Sequence, residues 1–208
     1  ALAMIPALAC CPADLEADRR ALEALAVWAE RWSPAVSVSA SGDGLDGICF
    51  DMTGAAHLFG GAATLPERIT ARLAEAGIPA RVAVAPTIGA AWALARYGDP
   101  ERRTLPVDED SLRDSLADLP VAALRISPDV VAEARRFGLK RIGDLYPMPR
   151  AGLARRFRDG DGIDLVRRLD QALGLGAEAL VPVRAAPRYR VREAHAEPLT
   201  ETAGITAR

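Results

Sequence analysis

The chain has 208 residues, 50% hydrophobic and 26% charged, with a net charge of −2; this suits one large globular domain or two small ones and argues against disorder. Cys10, Cys11 and Cys49 are too few and wrongly spaced for a zinc site, and adjacent cysteines rarely bridge each other, so a reduced, cytoplasmic setting is expected. The opening ALAMIPALACC is apolar but short, lacks a basic leader and runs straight into PADLEAD, which supports neither export nor a membrane span.

Residues 13 to 32 place Leu15, Leu22, Leu25, Ala29 and Trp32 at helical spacing behind an acidic first turn, and Pro34 ends the pattern; this predicts an amphipathic helix. AVSVSAS at 35–41 alternates with period two, and LDGICFDMT at 45–53 is its natural partner across a Gly-Asp-Gly turn, so a hairpin is expected. Thr64-Leu-Pro-Glu67 has capping-box spacing before a helix that Gly77 should end. PARVAVA at 79–85 reads as a third strand, and IGAAWALARY at 88–97 as a small-residue helix suited to close packing on a sheet.

From Asp108 the periodicity is helical and is punctuated by LPV at 119–121, Gly138, Gly143, Pro147 and Pro149. Residues 124–145 have the rhythm of a helix, a short turn and a second helix, as in phosphate-gripping hairpins. Charge divides along the same line: residues 1–120 hold 10 basic and 17 acidic side chains, residues 121–208 hold 16 and 11. A basic helical part would suit a phosphate-facing module, although charge runs are more often solvated faces. From Val181 the helical rhythm stops, and alternation around Tyr189 and Val191 suggests a linker entering a new strand.

WSPAVSV followed by LDGICFDMTG, then HLFGG, RVAVAPTIGAAWALAR, and LADLPVAAL with GLKRIGDL resemble, in order and spacing, the palm and thumb of the Y-family translesion DNA polymerases, and within it the ImuB-type branch of bacterial damage-induced mutagenesis. The resemblance implies an α+β fold. Residues 1–107 would be a palm-like domain, with a small antiparallel or mixed sheet and helices packed on it. Residues 108–180 would be an all-helical thumb with a degenerate helix-hairpin-helix, and 181–208 a linker and first strand of a little-finger domain. The first palm strand and most of the fingers would precede residue 1.

Registered on D-x-T-G at Asp51 to Gly54, Asp46 falls on the family's catalytic aspartate and Gly47 on its catalytic glutamate. Two-metal nucleotidyl transfer needs several carboxylates around the ions, and glycine supplies none. The lysine of the family's VAPNK motif, which meets the incoming triphosphate, corresponds to Ile88. In the thumb, Ile126, Ser127 and Pro128 stand where the family carries a Gly-x-Gly turn, and proline has no amide to donate. DNA contact would then fall to Arg135, Arg136, Lys140 and Arg141, with Arg155, Arg156 and Arg158 as a second cluster.

The remaining features have plain readings. Asp46 alone reads as a hairpin-end carboxylate, Asp43 as a turn residue and Asp51 as scaffold. His57 and His195 have no partner at ligand spacing, and no metal site is expected. Trp28, Trp32 and Trp92 belong to the core. Gln171 to Leu175 only faintly resembles a sliding-clamp peptide. The resemblance implies a non-catalytic scaffold in damage-induced mutagenesis, without cofactor. Its partners would be damaged or primer-template DNA, the sliding clamp, an error-prone replicative-type polymerase and a RecA-like accessory protein. The alternatives are an active polymerase using Asp46 and Mg²⁺, and a protein-only interaction module without DNA binding.

Overall fold

A computed structural model of the chain describes residues 12–41, 44–99, 111–157 and 161–183. Its described residues form a mixed α+β structure with seven α-helices and one antiparallel pair of strands. Helix α1 (Leu15–Ala29) begins where the Asp14 carboxylate accepts the Ala17 amide at 2.9 Å, satisfying one of the orphan donors of a helix start. Its inner face carries Ala26 and Ala29, and Trp32 follows in the turn after it. Leu15, the first position of the predicted stripe, is 69% exposed.

Strands β1 (Val36–Ser41) and β2 (Gly44–Phe50) form the expected hairpin. Val36 and Val38 point into a core shared with Ala26, Trp32, Leu65, Ile69 and Leu73. Helix α2 (Leu65–Glu75) closes that core, and Gly77 at φ +73° reverses the chain behind it, with the Ile78 amide on the Leu73 carbonyl at 2.9 Å. The predicted capping box does not form. Thr64 already has helical backbone angles, and its hydroxyl turns back to donate to the Phe59 carbonyl at 2.9 Å. Preceding turns, rather than a side-chain cap, continue the helix start.

The predicted third strand at 79–85 is absent from the described sheet; only Val84 makes an isolated bridge. Ala80 and Val82 pack on the hairpin core, whereas Ala83 and Ala85 pack on a second, helical core. Alternation here records burial against two cores in turn, and carries no information about a hydrogen-bonding neighbour. Helix α3 (Ile88–Tyr97) has the predicted bounds. Thr87 caps it, accepting from the Ala90 amide at 3.1 Å and donating to the Ala172 carbonyl at 2.9 Å. Gly89 lets α3 lie against the end of α7, since a Cβ there would meet the Ala172 Cα at 3.0 Å.

Helices α4 (Leu112–Ala117), α5 (Pro128–Arg136), α6 (Arg150–Arg156) and α7 (Asp161–Ala172) complete the helical core. Leu116, Leu124, Ile142, Leu145, Leu153, Leu165 and Leu169 are fully buried in it, alongside Ala90, Ala93 and Leu94 of α3. Each leucine removed from water contributes roughly 1.5–3 kcal/mol. The expected second limb of the 124–145 hairpin is a 3₁₀ turn at Ile142–Leu145, not an α-helix. The Asp144 carboxylate takes the amides of Lys140 and Arg141 at 2.8 and 2.9 Å, which tightens the turn, and Pro147 and Pro149 then prevent its continuation. Residues 119–121 and 140–142 are stitched by Val121 N–H to Lys140 O at 3.0 Å and Ile142 N–H to Leu119 O at 2.9 Å.

Candidate functional site

The hairpin positions the first candidate site. Ser33, 1% exposed, accepts the Ala35 amide and donates to the Asp51 carbonyl, while the Asp51 amide donates to the Ala35 carbonyl at 2.9 Å. The segment before β1 is thereby tied to the turn after β2. Within that turn the Asp51 carboxylate accepts the Thr53 amide at 2.9 Å, and the Thr53 hydroxyl and amide together hold its pKa below the usual carboxylate value. Gly54, at φ +75°, supplies the left-handed step that closes the turn.

Pairing along the hairpin runs from Val36 opposite Phe50 to Ser39 opposite Gly47, then jumps to Ala40 opposite Leu45. Asp46 is the residue left without an opposite number, so a bulge falls on the aspartate; bulges bend a strand and re-aim what it carries. Asp46 is described through its backbone alone, and Asp43 lies outside the described residues. Gly47 has no atom within 4 Å of where a Cβ would stand. A longer side chain would meet no obstacle at its Cβ there. Ile88, half-buried in the first turn of α3, lines the same groove of about 1600 Å³ as Gly47. Among the described residues, no three His, Cys, Asp or Glu side chains group as metal ligands.

The second candidate site is basic. Arg135 and Arg136 end α5, and Arg155 and Arg156 end α6. All four are exposed. The two helix ends meet: Phe137 and Phe157 contact edge to face with centroids 5.8 Å apart, and the Arg156 guanidinium lies 4.9 Å above the Phe137 ring. The helix ends that carry two clusters 20 positions apart in sequence therefore meet at a pair of phenylalanines, with Arg156 seated on one ring. Because helix C-termini carry partial negative charge, four arginines there stabilise the helix ends, and any anion would be met by side chains alone.

Lys140 and Arg141 are exposed on the following turn, but Arg141 is already paired with Asp118 at 2.7 Å. Arg158 and His195 lie outside the described residues. At the start of α5, Ile126 is buried and the Ser127 hydroxyl accepts the Val130 amide at 3.3 Å. Pro128 and the acidic Asp129 follow. This helix N-terminus is internally capped and offers no amide nest. His57 is exposed in a 3₁₀ turn. Trp32 and Trp92 are buried, while Trp28 is half-buried under the Arg31 guanidinium at 4.3 Å. Gln171 turns inward to donate to the Ala177 carbonyl at 3.1 Å.

Against proteins of known identity, the chain is 46% identical over 200 residues to Protein ImuB of Caulobacter vibrioides, a match repeated in two strains of that organism. Over this length the chain is ImuB-type. The match covers 96% of the chain and 41% of the relative, so the chain spans about two fifths of the curated relatives it matches. No protein-family model matches it. The ImuB-type segment thus includes the bulged hairpin, the groove and the arginine patch together. No helix among its described residues is long and apolar enough to cross a membrane.

Proposed function

We propose that this ImuB-type chain is a catalytically silent relative of translesion DNA polymerases, serving as a DNA-binding scaffold in damage-induced mutagenesis. The observation that carries the reading is the pair of substitutions facing one groove. Gly47 leaves open space where the resemblance expects a carboxylate, and Ile88 presents an alkyl chain where it expects a cation. At these two positions the chain offers neither the carboxylate that two-metal transfer would use nor a charge to meet a triphosphate. The palm-like part, 1–107, then serves as architecture, and the helical thumb-like part, 108–180, holds DNA.

DNA would be held by its phosphate backbone, through Arg135, Arg136, Arg155 and Arg156, with Lys140 and Arg158 as further candidate contacts. The sliding clamp, an error-prone polymerase and a RecA-like protein are the partners this role implies. Primer extension by the full-length protein with Mg²⁺ or Mn²⁺ tests the silent palm. The expected result is no incorporation, and template-directed synthesis that disappears in Asp46→Ala would overturn the reading. Negligible affinity for primer-template at low salt would instead leave a protein-only module.

A further inference from the structure

Two segments connect the hairpin core with the helical core. Residues 79–87 lead out along the groove, and residues 173–183 lead back. The returning segment is fastened at both ends. Near α7, the Leu175 and Gly176 amides donate to the Asp170 carbonyl at 2.8 and 3.1 Å. At its far end, the Val183 amide donates to the Val36 carbonyl of β1 at 2.8 Å. Between these points Glu178 reaches into the helical core. It accepts from Arg125 at 2.7 Å and from Arg168 at 3.2 Å, with side-chain exposures of 15%, 7% and 26% in that order.

This cluster is charged in an unusual way. Two guanidiniums share one carboxylate, and the Nε atoms of both arginines are buried without a hydrogen-bond partner. Arg125 is held at φ +60°, a left-handed backbone conformation that costs a non-glycine residue about 1 kcal/mol. Burial and the neighbouring Arg125 push the Arg168 pKa below its usual value. A strained backbone and a surplus buried cation are a poor way to add stability. They do make the charge balance of the contact depend on a single carboxylate, beside which Gln171 adds only a neutral hydrogen bond to the Ala177 carbonyl at 3.1 Å.

We infer that residues 173–183 are a strap that fixes the hairpin core against the helical core, and that Glu178 is its pin. With Glu178 in place, the strap forms one wall of the groove shared by Gly47 and Ile88. Without it, Arg125 and Arg168 are left as two partly buried cations with no counter-charge, and the water and side-chain movement needed to solvate them displace the strap that covers them. The strap therefore has a fastened and a released state, and Glu178 sets the balance between them. This inference is independent of whether the chain binds DNA.

Hydrogen exchange of the full-length protein, followed by mass spectrometry, tests it with two variants. In Glu178→Gln, amides of residues 175–183 and of β1 exchange at least about tenfold faster, while α5 and α7 keep wild-type protection. Arg168→Met leaves a balanced Arg125–Glu178 pair, and its strap keeps wild-type protection. Unchanged strap protection in Glu178→Gln overturns the proposal. So does a loss spread evenly through residues 112–172, failure of that variant to fold, or release of the strap in Arg168→Met.

Discussion

Replacing Arg135, Arg136, Arg155 and Arg156 together by glutamine removes the charge of the patch while keeping much of each side chain's length. Each duplex phosphate neutralised contributes about 0.9 to the slope of log affinity against log salt, so four contacts contribute about 3.6. Raising salt from about 50 to 200 mM should then weaken the wild-type patch's contribution roughly 150-fold, and each single Arg→Gln change should reduce that factor by about 3.5-fold. The arginines also interact favourably with the ends of α5 and α6, at about 0.3–1 kcal/mol each, and Arg156 loses its place over the Phe137 ring, about 0.5–1 kcal/mol. A thermal melt separates that loss from lost binding. Fluorescence anisotropy on a primer-template duplex over a salt series reads the slope. A quadruple variant that stays folded and retains the wild-type slope refutes the assignment of the patch, and Arg→Lys replacements should preserve the slope.

Gly47→Glu should fold with stability unchanged or raised by about 0.5 kcal/mol, because no atom lies within 4 Å of the new Cβ and glycine weakens a strand interior; chemical denaturation checks it. Gly89→Ala should cost about 1–3 kcal/mol, since the methyl would press on the Ala172 backbone at 3.0 Å, seen as a lowered Tm. Asp144 has its pKa depressed by amide hydrogen bonds, first from Arg141 and then from Lys140. A depressed carboxylate stabilises the fold above its unfolded pKa of about 3.9 and loses that contribution as pH falls through the lower folded value. The gap in Tm between wild type and Asp144→Asn should therefore be full at pH 6 and close progressively below about pH 4.

Elements carried by one local periodicity were legible: the α3 bounds, the hairpin and the reversal at Gly77 follow from residues within a few positions of each other. What needed a distant partner was not. Thr64 has capping-box spacing and Thr87 does not, yet only Thr87 meets a helix start from an extended backbone, where its hydroxyl also reaches Ala172. The two arginine clusters are visible as charge, but their meeting depends on Phe137 touching Phe157. Arg125 gives no sign of a left-handed backbone, because arginine is not a residue chosen for it. Glu178, in an unremarkable GLGAEAL, becomes meaningful only beside Arg125 and Arg168.

The bulged hairpin shows how a polymerase-like motif could persist whether or not polymerase-like chemistry does. Ser33, Asp51, Thr53 and Gly54 hold the hairpin and its exit turn by hydrogen bonds and backbone angle, none of which depends on what stands at residue 47. Gly47 sits opposite Ser39 in the pairing and contacts nothing that would register the loss of a carboxylate. Ile88 likewise begins a helix whose cap is Thr87 and whose close packing is Gly89. Scaffold and chemistry are carried by neighbouring but separate residues, so the D-x-T-G turn reports the fold and is silent about activity. A test of activity must therefore address Asp46, Gly47 and Ile88 themselves, since changes at Ser33 or Asp51 would abolish function in either case by undoing the hairpin.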